Sequence, residues 1–336
     1  MSEAILYKKL DKHLVQCEIC AHQCIIAPNK KGLCGVRENQ SGQLKTLNYE
    51  AVVALNIDPI EKKPLFHFLP GTLSLSLGTQ GCNFSCQHCQ NYEISQGIKN
   101  NQSVLEQKIS SQQIINLVQE NNLPSLAYTY TEPSIFLEYA LEIMKKAQKK
   151  GIKNIWVSNG YFTKKTFKTI SPYLDAINVD LKFFDDSLYQ KICGGKLKPI
   201  LENLKRIQKS NIWLEITTLL IPGYTDQNNQ LEKIAQFIKK ELSSEIPWHV
   251  SCFTPSYKMK KVPPTPPELI YQAIEIGKKQ GLKYVYAGNL PGDNKENTYC
   301  PACQTLIIKR TGYEIKRQDQ NGYCPQCGEK INLILE

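Results

Sequence analysis

GTQGCNFSCQHCQNYE, residues 78–93, places three cysteines, Cys82, Cys86 and Cys89, within eight positions. It directly follows TLSLSLG (72–78), whose alternation of apolar and polar residues predicts a strand. The cysteines therefore sit on the loop at the C-terminal end of that strand. Three thiols held together, rather than the two of a disulfide or the four of a closed metal site, is the arrangement to be explained.

Downstream, strand-like and helix-like segments alternate to about residue 290. The strand candidates are SLAYTY (125–130), KNIWVS (153–158), LDAINVD (174–180), IWLEITTL (212–219), PWHVSCF (247–253) and LKYVYAG (282–288). Helical patterns fall between most of them, including SIFLEYALEIMKKAQKK before Gly151, a C′ glycine, and PPELIYQAIEIGKKQ before Gly281. For the latter, Thr265, Pro266 and Glu268 read as N-cap, first-turn proline and capping-box partner. Repeated strand–helix units imply a parallel α/β sheet, open or closed into a barrel, whose working face is the C-terminal ends of its strands.

The flanks differ in kind. Residues 1–70 read as an irregular cysteine-rich extension, 71–290 as the core, and 291–336, opening with the loop PGDNKEN, as a small separate module. CPAC (300–303) and CPQC (324–327) form a CxxC…CxxC array that offers Cys300, Cys303, Cys324 and Cys327 from two turns. That pattern predicts a zinc ribbon, with a rubredoxin-like iron as the alternative, stapling a module too small for a core of its own. Cys17, Cys20, Cys24 and Cys34 have ligand-like spacing without a diagnostic pattern, so zinc and an auxiliary iron–sulfur cluster both remain open there. Cys193 and Cys252 stand alone and read as inert thiols.

Thirteen cysteines in a chain whose N-terminus lacks the apolar core of a signal peptide point to metal ligands in a reducing cytoplasm. The longest apolar stretches, such as Trp213–Gly223, are interrupted well short of a membrane span. The formal charge of +10 suggests an acidic partner until the bound thiolates are counted. Three filled sites would remove roughly five charges, leaving a solvated basic surface as the main reading and an RNA-binding or scaffolding role as the remote one.

A four-iron cluster has four metal corners, so three cysteines leave one iron open to bind a substrate or cofactor. Here the sequence resembles a known family. Cys82-x3-Cys86-x2-Cys89 is similar to the CxxxCxxC signature of radical SAM enzymes, and AYTYTEPSIF, VSNGY, DAINVDLKFF, TTLLIPGYTD, WHVSCFTPSYKM and YVYAGNLPGDNKENTYCPAC resemble successive blocks of AmmeMemoRadiSam-system radical SAM proteins, relatives of pyruvate formate-lyase activating enzyme. The resemblance implies a partial (β/α)6 TIM-like barrel. It also implies a [4Fe–4S] cluster whose open iron chelates S-adenosylmethionine (SAM), and reductive cleavage of SAM to methionine and a 5′-deoxyadenosyl radical that abstracts hydrogen.

Carried onto this chain, the resemblance assigns SAM contacts to Glu132, in the place of a Gly-Gly-Glu segment whose glycines are here Tyr130 and Thr131, and to Asn159 after the third strand. Asp180 and Lys182, in DLK, resemble the DxK segment of glycyl-radical activases beside the methionine carboxylate. His88 stands where many members have an aromatic residue and is expected to cover the adenine side, with His249 near the adenine end. The implied partners are a protein or peptide substrate, a one-electron donor such as a flavodoxin or ferredoxin, and AMMECR or Memo proteins. Modification of a small molecule or peptide is the alternative activity.

Overall fold

Eight strands lie side by side in strict chain order: β1 (Val52–Pro59), β2 (Leu73–Thr79), β3 (Ser125–Tyr128), β4 (Lys153–Ser158), β5 (Ala176–Asp180), β6 (Trp213–Leu220), β7 (Trp248–Cys252) and β8 (Val285–Gly288). β1 runs antiparallel to β2, and every later neighbour pair is parallel. The computed structural model describes residues 2–100, 107–290, 292 and 294–336; Pro291 and Asp293 of the PGDNKEN loop lie outside the described residues.

Right-handed crossovers that always step in the same direction leave their helices on one face of a sheet. Side-chain alternation agrees. Leu126, Tyr128, Trp156, Ile177 and Trp248 pack in one cluster with residues of the helices α1 (Ser111–Glu120), α2 (Leu137–Gln148), α3 (Lys164–Ile170), α4 (Leu197–Gln208), α5 (Asn228–Phe237) and α6 (Pro267–Lys279). Their sequence neighbours Ala127, Ile155 and Ala176 pack instead against Ile60, Leu65, Phe68 and Leu69. The segment after β1 thus fills the inner face. It is anchored there by Glu215 of β6, whose carboxylate accepts the backbone N–H groups of Phe66 (3.0 Å) and His67 (2.9 Å).

Local chemistry explains the helix ends, with one correction. Ser110 and Gln113 form a reciprocal capping box at α1, and Gly151 takes φ +70° beyond α2. At α6 the N-cap is Pro266 without a side-chain cap, and Pro267 is the first-turn proline. The Thr265 hydroxyl goes elsewhere: it accepts from Phe253 N (2.7 Å) and donates to Leu220 O (2.5 Å), tying the ends of β6 and β7 together.

The N-terminal flank is more ordered than its sequence reads. Ser2–Glu3, Gln43–Thr46 and Arg37–Gln40 form one antiparallel sheet, and Tyr7–Lys9, Val15–Cys17 and Ile25–Ile26 another. Strands of two to four residues are too short to show a period, and β1, a half-exposed edge strand, alternates poorly. At the other end Thr298–Tyr299, Leu306–Thr311 and Glu314–Arg317 form a small antiparallel sheet. It packs through Ile307 and Ile308 on Phe66, Tyr284 and Tyr286. Among the described residues, no helix is long and apolar enough to cross a membrane.

Candidate functional site

The cysteine loop leaves β2 through Gly81, at φ +93°. A Cβ there would lie 2.7 Å from Val36 Cγ1 and 2.8 Å from the Cys34 carbonyl, so only glycine admits the N-terminal flank this close. Beyond it the loop is pinned by its backbone: Ser85 N donates to Cys193 O (2.8 Å) and Gln87 N to Ile192 O (2.9 Å). Phe84 is buried against Tyr161 and Tyr189, and its carbonyl accepts from Lys99 Nζ (2.8 Å) and Gln96 Nε2 (3.0 Å).

Cys82, Cys86 and Cys89 line a cavity of about 530 Å³ at the C-terminal ends of the strands. So do Glu132 after β3, Asn159 after β4, Asp180 and Lys182 at the end of β5, and His88 and His249. Burial pushes the Cys82 thiol up to about 12 and raises Cys86 and Cys89, Cys86 chiefly through its hydrogen bond with Cys193. Thiols desolvated in this way are poor free nucleophiles, whereas a bound cation would deprotonate them outright.

Glu132 is 2% exposed and its carboxylate is well used: it accepts from Ser158 Oγ (3.0 and 3.1 Å), Asn159 N (2.9 Å) and Ser134 N (3.2 Å). Burial raises its pKa. Asn159 donates through Nδ2 to Asn83 Oδ1 (2.7 Å), which links the loop after β4 to the cysteine loop. Lys182 Nζ pairs with Asp180 Oδ2 at 2.7 Å. Both ring nitrogens of His88 are buried without a hydrogen-bond partner among the described residues, and burial followed by the Lys182 charge pulls its pKa down to about 3. His249 sits lower, near the start of β7; its Nε2 is 2.7 Å from Glu215, and its ring packs on Phe66 and Tyr286.

Two contributions have no local signal in the sequence. Cys193, whose sulfur lies within 4.8 Å of the ligand atoms of Cys86 and His88, comes from the end of the short helical segment after β5. Glu296, Arg310, Gly312 and Tyr313 bring the C-terminal module into the cavity wall. Arg310 is held there by Phe66 O (2.7 Å), Glu296 O (2.8 Å) and Thr298 Oγ1 (2.8 Å), with its guanidinium 4.2 Å from the Phe66 ring.

The other cysteines form two further groups. The ligand atoms of Cys300, Cys303, Cys324 and Cys327 all lie within 4.8 Å of one another, with Cys300–Cys327 and Cys303–Cys324 sulfurs 3.6 Å apart. A tetrahedral ion with metal–sulfur bonds of about 2.3 Å sets its thiolates roughly 3.8 Å apart. Cys17, Cys20, Cys24 and Cys34 line one small cavity with His22, Arg37 and Asn83. Burial pushes Cys17 up to about 11 and Cys20 well above the usual thiol range.

Comparison with known proteins follows the same lines. A model of the Radical SAM superfamily matches residues 76–238. The chain is 42% identical over 338 residues to an uncharacterized protein of Methanocaldococcus jannaschii, with 100% of each chain covered. It is 28% identical over 172 residues to a putative glycyl-radical enzyme activating enzyme of the same organism, covering 49% of this chain and 62% of the relative. Among solved structures, Streptococcus suis SuiB bound to S-adenosylmethionine superposes with a TM-score of 0.51 at 13% identity, covering 68% of this chain and 55% of that one. At that identity the likeness is one of fold.

Proposed function

The chain belongs to the radical SAM superfamily, and from that premise we propose that it is a SAM-cleaving enzyme that abstracts hydrogen from a partner protein, as a glycyl-radical activase does. The observation that carries this reading is the gathering of Cys82, Cys86, Cys89, Glu132, Asn159, Asp180 and Lys182 around one cavity of about 530 Å³. A [4Fe–4S] cluster with SAM bound would supply one-electron cleavage of the sulfonium, giving methionine and a 5′-deoxyadenosyl radical.

The residues present fit such a group. Cys82, Cys86 and Cys89 would hold the cluster, leaving one iron for SAM. Their thiols are not drawn together as a single-ion site would require: no three ligand atoms including two of them lie within 4.8 Å among the described residues. The Asp180–Lys182 pair offers opposite charges to a zwitterionic methionine end. His88, with both ring nitrogens buried and unpartnered, offers a face and two polar atoms to the adenine side. Glu132 holds the Ser158–Asn159 turn, so its contribution to SAM binding would act partly by orienting Asn159. His249, occupied by Glu215, would meet the nucleoside through the rest of its ring.

Activation of a partner protein is supported by the similarity to a putative glycyl-radical enzyme activating enzyme. A flavodoxin or ferredoxin would supply the electron, and an AMMECR or Memo protein is a candidate partner. The second reading, modification of a small molecule or short peptide, rests on the wall that Glu296, Gly312 and Tyr313 add to the cavity. Zinc is the proposed ion of the C-terminal cysteines, whose sulfur spacing suits one tetrahedral ion.

Anaerobically reconstituted, reduced protein should convert SAM to 5′-deoxyadenosine and methionine, and Cys82, Cys86 or Cys89 changed to Ala should abolish this. Unchanged conversion in those variants would refute the site. Deuterium appearing in 5′-deoxyadenosine only with a labelled partner protein would favour activation; label from a labelled small molecule or peptide would favour the second reading.

A further inference from the structure

The N-terminal cysteines behave unlike the C-terminal set. Both groups offer four thiols, but of the two only the C-terminal four come within 4.8 Å of one another among the described residues. Among the described residues, no three ligand atoms from Cys17, Cys20, Cys24, Cys34 and His22 do so. All four nevertheless line one small cavity, walled by Ile19, Ile26 and Ile135. Single-ion coordination demands thiolates roughly 3.8 Å apart, from bonds of about 2.3 Å. A polynuclear cluster puts each thiolate on a different iron and holds them farther apart. Cys82, Cys86 and Cys89 likewise form no such close group of three among the described residues.

Two unsatisfied donors supply the second observation. Arg37 is 1% exposed and Asn83 3% exposed, and both line this cavity. The Arg37 guanidinium is bound through Nη1 and Nη2 to Glu138 (2.9 and 2.7 Å) and Ile135 O (3.2 Å), leaving Nε buried with no partner among the described residues. Asn83 spends its Oδ1 on Asn159 and leaves Nδ2 buried, likewise with no partner among the described residues. A buried N–H without an acceptor costs about 1–3 kcal/mol, so two beside four thiols call for acceptors that enter with a ligand. Thiolate and bridging sulfide are such acceptors, and four thiolates on a doubly charged cluster carry about −2, which an arginine and an amide donor stabilise.

We infer that Cys17, Cys20, Cys24 and Cys34 hold a second iron–sulfur cluster, with Arg37 Nε and Asn83 Nδ2 as its hydrogen-bond donors. The site lies directly behind the catalytic loop. His22 meets Asn83 O at 2.9 Å, Ala21 N donates to Tyr161 O at 2.9 Å, and the Cys34 carbonyl abuts Gly81. Loading this site therefore fixes both loops that carry Asn83, Cys82 and Asn159.

The test uses the full chain reconstituted anaerobically with iron and sulfide alone, followed by measurement of iron, acid-labile sulfide and zinc. The Cys82/Cys86/Cys89→Ala variant should keep a cluster, about four irons if cubane, with matching sulfide and an EPR signal on reduction. Adding Cys17→Ser and Cys24→Ser should remove it. Should those additions prevent folding, the wild-type chain still decides: it should hold about twice the sulfide-matched iron of the triple-Ala variant. Zinc without sulfide in that variant, or no metal beyond the C-terminal ion, would overturn the inference. Equal iron and sulfide in wild type and triple-Ala variant would instead sink the catalytic-site reading and leave this one standing.

Discussion

Asn159 donates its backbone N–H to the Glu132 carboxylate at 2.9 Å, across the ends of two adjacent strands. With the Ser158 hydroxyl on the same carboxylate, this bond makes the buried acid a clamp on the turn that aims Asn159 into the cavity. Glu132→Ala takes the acceptor from Ser158 Oγ, Asn159 N and Ser134 N and should cost about 2–3 kcal/mol of stability. It should also weaken SAM binding at least tenfold, whereas Glu132→Gln, which keeps one acceptor, should lose less of both. Calorimetric unfolding and SAM titration check this; an alanine variant that binds SAM as wild type would show that the clamp is dispensable.

Gly195 touches the cysteine loop from the far side. A Cβ there would lie 2.3 Å from Phe84 Cε1, inside any real contact, so Gly195→Ala must displace Phe84. The expected cost is about 1–3 kcal/mol, with reduced iron uptake at Cys82, Cys86 and Cys89 because Phe84 lies between Cys82 and Cys86. Iron content equal to that of wild type would mean that Phe84 does not position the loop.

His67 makes stability fall with acidity. Burial holds its pKa down at about 4, and its ring nitrogens meet Asn332 O (2.7 Å) and the Tyr286 hydroxyl (2.6 Å). The unfolded chain takes up a proton near pH 6.5, the folded chain only near 4, so stability is lost as pH falls through that window, by about 3 kcal/mol at most. His67→Phe should flatten the dependence of Tm on pH between roughly 6.5 and 4 relative to wild type. An unchanged slope would assign the loss to other groups.

An ion held by Cys300, Cys303, Cys324 and Cys327, as proposed above, should govern the cavity wall as well as its own module. Removing it with a chelator, or by Cys303→Ser with Cys327→Ser, should raise proteolysis within residues 298–317 and weaken SAM or substrate retention, because Gly312 and Tyr313 line the cavity. Proteolysis without any change in binding would show that this wall is passive.

Much of the site was legible because strand ends are. Cys82, Glu132, Asn159, Asp180 and Lys182 each follow a recognisable strand, and parallel units in chain order converge those ends on one cavity. Cys193 and Arg310 were not legible, since each reaches the site through contacts across roughly a hundred residues or more that no local period reports. The edge strand β1 was missed for a related reason: with one face half-exposed it lacks alternation. His249 carries a further lesson, because a strand histidine facing a cavity was spent on Glu215, a partner invisible from either local sequence.

Binding of SAM at an iron left open by Cys82, Cys86 and Cys89 can be read from the EPR spectrum of the anaerobically reconstituted, reduced chain before and after SAM is added. A cluster signal should change with SAM and disappear in the Cys82/Cys86/Cys89→Ala variant, while a second, SAM-insensitive signal persists. A spectrum unmoved by SAM in protein whose iron and sulfide match an intact catalytic cluster would contradict such binding.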